Sequence, residues 1–174
     1  MGWLTVVLYA LGIWQCFRLL SRQRNLMERR EVRLWWIVTV GLLALGLNKQ
    51  LDLQSAMTEI GRIVARSQGW YETRFVVQVY FIYSVVACAA FAIMALGFLA
   101  RKAHSATIVA TAGSVCLLAF IVVRAASFHR VDFFLGSEFI GLKMNWILEM
   151  GGIGIIIAGA HWRRVTQTKP VTGG

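Results

Sequence analysis

His129 and Asp132 stand three residues apart in the segment RAASFHRVD (124–132), so one helical turn would set an imidazole beside a carboxylate. That pairing suits a general acid/base with its orienting partner, and Asp52, from a separate segment, is a second candidate orienter. The three side chains are also metal-ligand types. No second histidine shares their face, and no metal site is assigned. Ser127 precedes His129 by two residues. It lacks a nucleophile turn and reads as well as a cap for the turn that follows it.

A second group is notable for where it sits. Asn48, Lys49, Gln78, Arg124, Asn145 and Glu149 all fall inside or at the ends of long apolar runs. Glu149 lies about two turns into its run, where an unpaired carboxylate costs about 2.5–3.5 kcal/mol. It must be paired or protonated, and Lys49 and Arg124 are the cations at similar depth. The expectation is one connected cluster, with Lys49 or Arg124 against Glu149 and with Asn48, Gln78 and Asn145 supplying hydrogen bonds. Asp52, Arg74, His129 and Asp132 would roof it. It would serve as an internal joint, a ligand or catalytic site, or a subunit contact. From Asn145 and Glu149 the same stripe runs on through Gly152, Ile156 and Gly159, a smooth face that another helix can approach closely.

The elements that must position these residues are membrane helices. Of 174 residues 58% are hydrophobic and 15% charged, and the mean hydropathy is +0.65; a soluble domain this size has too little charged surface here to stay in water. Seven tryptophans and one proline fit helices anchored at lipid–water interfaces. A net charge of +10 records orientation and contact with anionic lipid in such a chain, and nucleic acid is not expected as a partner. Five apolar runs can cross about 30 Å of hydrocarbon: residues 3–20, 34–51, 75–100, 107–124 and 142–161. They form a single transmembrane bundle over 1–168, with 169–174 a frayed tail.

Alternate connections differ in charge. One set holds eleven basic residues and two acids, Glu28 and Glu31; the other holds seven basic residues and six acids. The positive-inside rule therefore sets the N-terminus outside and the C-terminus in the cytoplasm. Between spans two and three, Leu53, Ala56, Met57, Ile60, Ile63 and Val64 recur at helical spacing opposite Asp52, Ser55, Glu59, Arg62 and Arg66. An amphipathic helix over 52–67 should lie in the outer interface. The second outer segment, 124–145, is apolar enough to hold a short interfacial or re-entrant piece at 131–135. Cys16, Cys88 and Cys116 lie in apolar runs without paired spacing and read as packing residues. His104 and His161 sit beside Arg or Lys at span ends, where headgroup contact is simpler than haem ligation; no cofactor is expected. The N-terminal MGWL has no basic leader and reads as the start of a retained helix.

The strings LNKQLDLQ (47–54), GWYETR (69–74), RAASFHRVD (124–132) and MNWILEMGG (144–152) together resemble a family of small bacterial integral-membrane proteins of uncharacterised activity, some labelled isopropylmalate isomerase. The resemblance covers roughly residues 30–155 and implies a bacterial inner membrane. That label implies a soluble iron–sulfur enzyme, which three isolated cysteines within spans do not fit. Arg124, Ser127, Asp132, Asn145 and Gly152 bear a looser likeness to VanZ-like membrane proteins, which implies the cell envelope and amphipathic ligands.

Two functions follow as expectations. One is an accessory or binding module whose outer polar cluster and interfacial helix engage lipid, a larger membrane complex or a second copy. The other is an enzyme on an amphipathic or lipid-linked substrate, with His129 as acid/base, Asp132 or Asp52 orienting it, and Arg74 or Arg124 anchoring an anion.

Overall fold

Apolar runs decide where the helices form, and the flanking arginines decide how far they extend. The computed structural model of the chain describes residues 2–51, 59, 60, 63, 67, 74–126, 138, 139 and 142–166, without the side chains of 74–78, 125, 126, 138, 139 and 142–145. Five long helices make up most of it: α1 (Gly2–Gln23), α2 (Arg29–Leu51), α3 (Arg74–Ala100), α4 (Ser105–Ala126) and α5 (Met144–Thr166). A 3-10 turn, Arg24–Leu26, links α1 to α2, and Glu138–Phe139 pairs antiparallel with Leu142–Lys143 just before α5.

Among the described residues four stretches are long and apolar enough to cross a membrane: Trp3–Leu26, Arg29–Leu51, Val79–Ala100 and Ser105–Arg124. The chain is an all-helical protein of membrane type. α5 is as long as the others, but Asn145, Glu149 and His161 interrupt its apolar run and it does not join the four. α2 begins at Arg29 rather than at residue 34, and α5 runs on to Thr166. Arg, Glu and Gln are good helix formers, and arginine heads reach water from a helix flank, so a helix outlasts its apolar run. Glu31 and Arg163, expected among loop and tail charges, belong instead to helices.

Neighbours in the chain pack on one another, and α5 returns to pack on α1, which closes a ring α1–α2–α3–α4–α5. α1, α2 and α5 each give the interior a stripe at helical spacing. On α1 it is Thr5, Tyr9, Gly12, Cys16, Leu19 and Gln23; on α2 it is Glu31, Leu34, Trp35, Val38 and Leu42. On α5 it is Glu149, Ile153, Ile156, Ala160 and Arg163. The core joins Leu19, Leu34, Trp35, Leu42, Ile153 and Ile156. Trp35 is fully buried, unlike the interfacial role expected of the tryptophans. Cys16 is buried as a packing residue, whereas Cys88 faces outward on α3 and Cys116 is half-buried.

The closest approach is between α4 and α5, where glycine is required. A Cβ on Gly159 would lie 2.8 Å from the Ala106 carbonyl oxygen, and one on Gly113 would lie 2.8 Å from that of Gly152. The smooth face of α5 expected to receive a partner is thus covered by α4 of the same chain. α3 is the opposite case, with Tyr80, Phe81, Tyr83, Phe91 and Met94 all exposed.

Gly159→Val should lower the stability of the bundle in detergent by about 1–3 kcal/mol through overpacking. Gly154→Val, whose Cβ meets open space, should leave the thermal midpoint unchanged; equal loss in both would refute the close crossing.

Candidate functional site

At the end of the bundle that holds the long connections, Tyr9 stands on the inner stripe of α1 because a Gly, Gly46, faces it from α2: a Cβ there would lie 3.2 Å from Tyr9 Cβ. The Tyr9 hydroxyl donates to Glu149 Oε1 at 3.2 Å, and Lys49 Nζ donates to Glu149 Oε2 at 3.0 Å. Glu149 is buried, while the Lys49 side chain keeps 25% of its exposure. Both carboxylate oxygens are therefore held by groups of the chain itself. Arg124 stands close enough to act electrostatically on Tyr9.

The expected cluster is thus assembled in part. Lys49 is the cation on Glu149, and Arg124 is nearby. Asn48 is exposed and makes no hydrogen bond among the described residues; one residue step from Lys49 turns a helix by about 100°. Asp52, His129 and Asp132, and the side chains of Arg74, Gln78 and Asn145, lie outside the described residues, as does most of the 52–67 segment. Within that segment Glu59, Ile60, Ile63 and Ser67 are helical, and Ile60 and Ile63 are exposed. Tyr9 was missed by sequence reasoning. Its signal was a hydroxyl on the same three-four stripe as Thr5, Gly12 and Cys16.

A second ion pair closes the opposite end. Arg163 Nε reaches Glu31 Oε1 at 2.7 Å and Arg163 Nη2 reaches Oε2 at 3.1 Å, a two-pronged match of guanidinium and carboxylate. The Thr107 hydroxyl, fully buried on α4, also donates to Glu31 Oε1. Around this pair the polar groups of α1 are tied to α5: Arg164 Nη1 donates to Gln15 Oε1 at 2.9 Å, and Gln23 Nε2 donates to the Arg164 carbonyl at 2.9 Å. Gln15 sits within the first apolar run with its oxygen satisfied. Gln23 Oε1 and the Trp35 indole nitrogen are buried without a partner among the described residues. His104 caps α4, its Nδ1 accepting from the Ala106 N–H at 3.2 Å, and its ring meets Trp162 edge-on at 6.4 Å. His161 is exposed on α5.

The two pairs share one plan. Glu31 and Lys49 are the ends of the inner stripe of α2; Glu149 and Arg163 are the ends of the inner stripe of α5. The helices run in opposite directions, so each acid meets a base. The spacings along the axes are about 27 and 21 Å at 1.5 Å per residue, near the thickness of a hydrocarbon layer.

Arg163→Met alone should cost about 3–5 kcal/mol, because it strands the Glu31 carboxylate. Arg163→Met combined with Glu31→Met should recover most of that loss. Lys49→Met should cost less than Arg163→Met, since Lys49 is partly solvated and Tyr9 still donates to Glu149. Denaturation in detergent reads all three, and a double variant no better than the single one would refute the pairing.

No protein-family model, curated protein or solved structure matches the chain. The geometry of these two buried ion pairs is the ground on which its function is argued.

Proposed function

We propose that the chain is a non-catalytic accessory module of the bacterial inner membrane that engages lipid or a larger membrane complex. In this reading all five helices span, with the N-terminus outside and the C-terminus in the cytoplasm. The charge count supports that orientation: residues 18–33 and 101–104 and the C-terminal end of α5 carry the basic excess. The length of α5 and the pairing of its two buried charges support a fifth span alongside the four apolar ones.

The observation that carries the reading is the state of Glu149. Tyr9 and Lys49 each hold one oxygen of this buried carboxylate, so its charge is met within the chain and needs no ligand to balance it. An internal joint of that kind organises a bundle. Engagement with partners then falls to the outside: to the apolar face of α3, and to the 52–67 segment, where Ile60 and Ile63 are exposed three apart as an interfacial helix requires. The resemblance to small bacterial integral-membrane proteins agrees with this setting. The alternative, an enzyme for an amphipathic or lipid-linked substrate, places His129, Asp132 and Asp52 at the periplasmic face.

Native mass spectrometry of the chain extracted in mild detergent from its own membrane tests the choice. A stoichiometric protein partner or a retained lipid, both indifferent to His129→Ala, is the expected result. A lone chain with neither would overturn the module. So would a lipid-linked substrate that the wild type converts and a folded His129→Ala variant accumulates.

A further inference from the structure

At the basic end two short connections meet over the Glu31–Arg163 pair. They flank an open pocket of about 320 Å³ whose lining includes Arg30, Arg101, Lys102 and His104. Arg30 comes from the first turn of α2 and Arg101 from the turn after α3, yet both lie over one ring: their guanidinium carbons are 5.4 and 5.9 Å from the Phe98 centroid. Among the described residues none of Arg30, Arg101 and Lys102 forms an ion pair. The buried acid of the wall, Glu31, does not neutralise them, since Arg163 and Thr107 already hold it. Glu28, on the rim, is exposed. Cations gathered from two connections repel one another, and an anion with several oxygens relieves that repulsion by bridging them.

Two further features point to what such an anion is. Lys102 has a φ of 65°, a left-handed conformation that glycine takes freely and lysine does not. The turn alone would be better served by glycine, so a lysine here is explained by its ammonium at the pocket and not by its backbone. The N-terminal end of α4 opens beside it and adds positive potential. The apolar lip of the pocket is Leu26, 66% exposed; Phe98, 54% exposed, is outside the lining and carries Arg30 and Arg101 beside it. A charged cup with an apolar lip suits a phosphate that is carried on acyl chains.

We propose that this pocket binds a phosphate group, with the headgroup of an anionic phospholipid as the occupant that its lip favours and a soluble phosphate as the other source of the same chemistry. Arg30, Arg101 and Lys102 hold the phosphate oxygens, and Leu26 lies along the chains. The proposal deepens the module reading by naming the lipid class, and it rests on that reading for its membrane setting.

The test uses the purified full chain in detergent, offered phosphatidylglycerol and phosphatidylcholine in equal amounts and read by native mass spectrometry. Wild type should retain phosphatidylglycerol preferentially. Lys102→Gly should weaken that retention roughly five-fold, the loss of one cation near an anionic surface, while its thermal midpoint holds or rises because the turn relaxes. Arg30→Gln with Arg101→Gln should weaken it further. Arg22→Gln with Arg24→Gln removes two exposed charges from the same end but outside the pocket, and should change it little.

Inorganic phosphate is then added. If it leaves the lipid in place, the occupant is a headgroup. If it displaces the lipid and itself binds with the same dependence on Lys102, the pocket serves a soluble phosphate. Equal loss in the Arg22/Arg24 control, no preference for phosphatidylglycerol, or full retention by Lys102→Gly would each overturn the pocket. None of these results bears on whether a protein partner is retained on extraction from native membrane, so failure of the pocket and failure of the module reading are separable.

Discussion

A carboxylate enclosed among helices in a medium of low dielectric must find a cation or take up a proton, and this bundle meets that constraint twice with the same two helices. Glu31 and Lys49 on α2 face Arg163 and Glu149 on α5. Because each helix carries one acid and one base on its inner stripe, the pairs form only when the helices run antiparallel and in one register. A shift of α5 by one turn, about 5.4 Å, would part both pairs together. Apolar packing between Leu42, Ile153 and Ile156 has no such discrimination, since lipid is as good a partner for those side chains as protein. Ion pairs are a modest source of stability and a strong source of register.

The ring explains why α1 carries side chains that hydrogen-bond to α5. Successive helices alternate in direction, so a closed ring of five must contain one parallel contact, and it falls between α1 and α5. No short connection holds that pair together. Side-chain hydrogen bonds do it instead: Tyr9 to Glu149 at one end, and Gln15 and Gln23 to Arg164 at the other. Gln15 inside an apolar run, which weakens α1 as a lone span, is therefore part of what seats α1 in the bundle. α4 is held to α5 differently, by backbone approach at Gly113, Gly152 and Gly159.

Much of this was legible in the residues. Apolar run length located every long helix among the described residues, and the depth of Glu149 required a cation, with Lys49 one of two candidates. The glycine stripe of α5 announced a close contact, although its partner was α4 and not another chain. What could not be read was which charged residues near the ends turn inward. Glu31 stands among arginines and Arg163 beside Arg164, and composition assigns both to a solvated connection. Only the phase of the stripe separates them: stepping by three and four from Trp35 reaches Glu31, and from Ile156 through Ala160 reaches Arg163. Asn48 fails by the same rule, one residue out of phase with Lys49.

The two ends of the bundle differ in what they leave unsatisfied. At the mixed end a buried acid is matched oxygen by oxygen, and its cation, Lys49, is the more exposed partner and the easier to hydrate. At the basic end the buried acid is matched just as fully, yet further cations are stacked above it from two separate connections, with Arg30 and Arg101 on one aromatic ring. Phase along a helix cannot account for that surplus, since neither residue lies on an inner stripe. Orientation alone asks only that positive charge be on one side, and it would be met by arginines spread along 18–33. Convergence over one pocket, with a lysine held in a backbone conformation it does not favour, is a more specific arrangement than topology needs, and a bound anion supplies the reason for it.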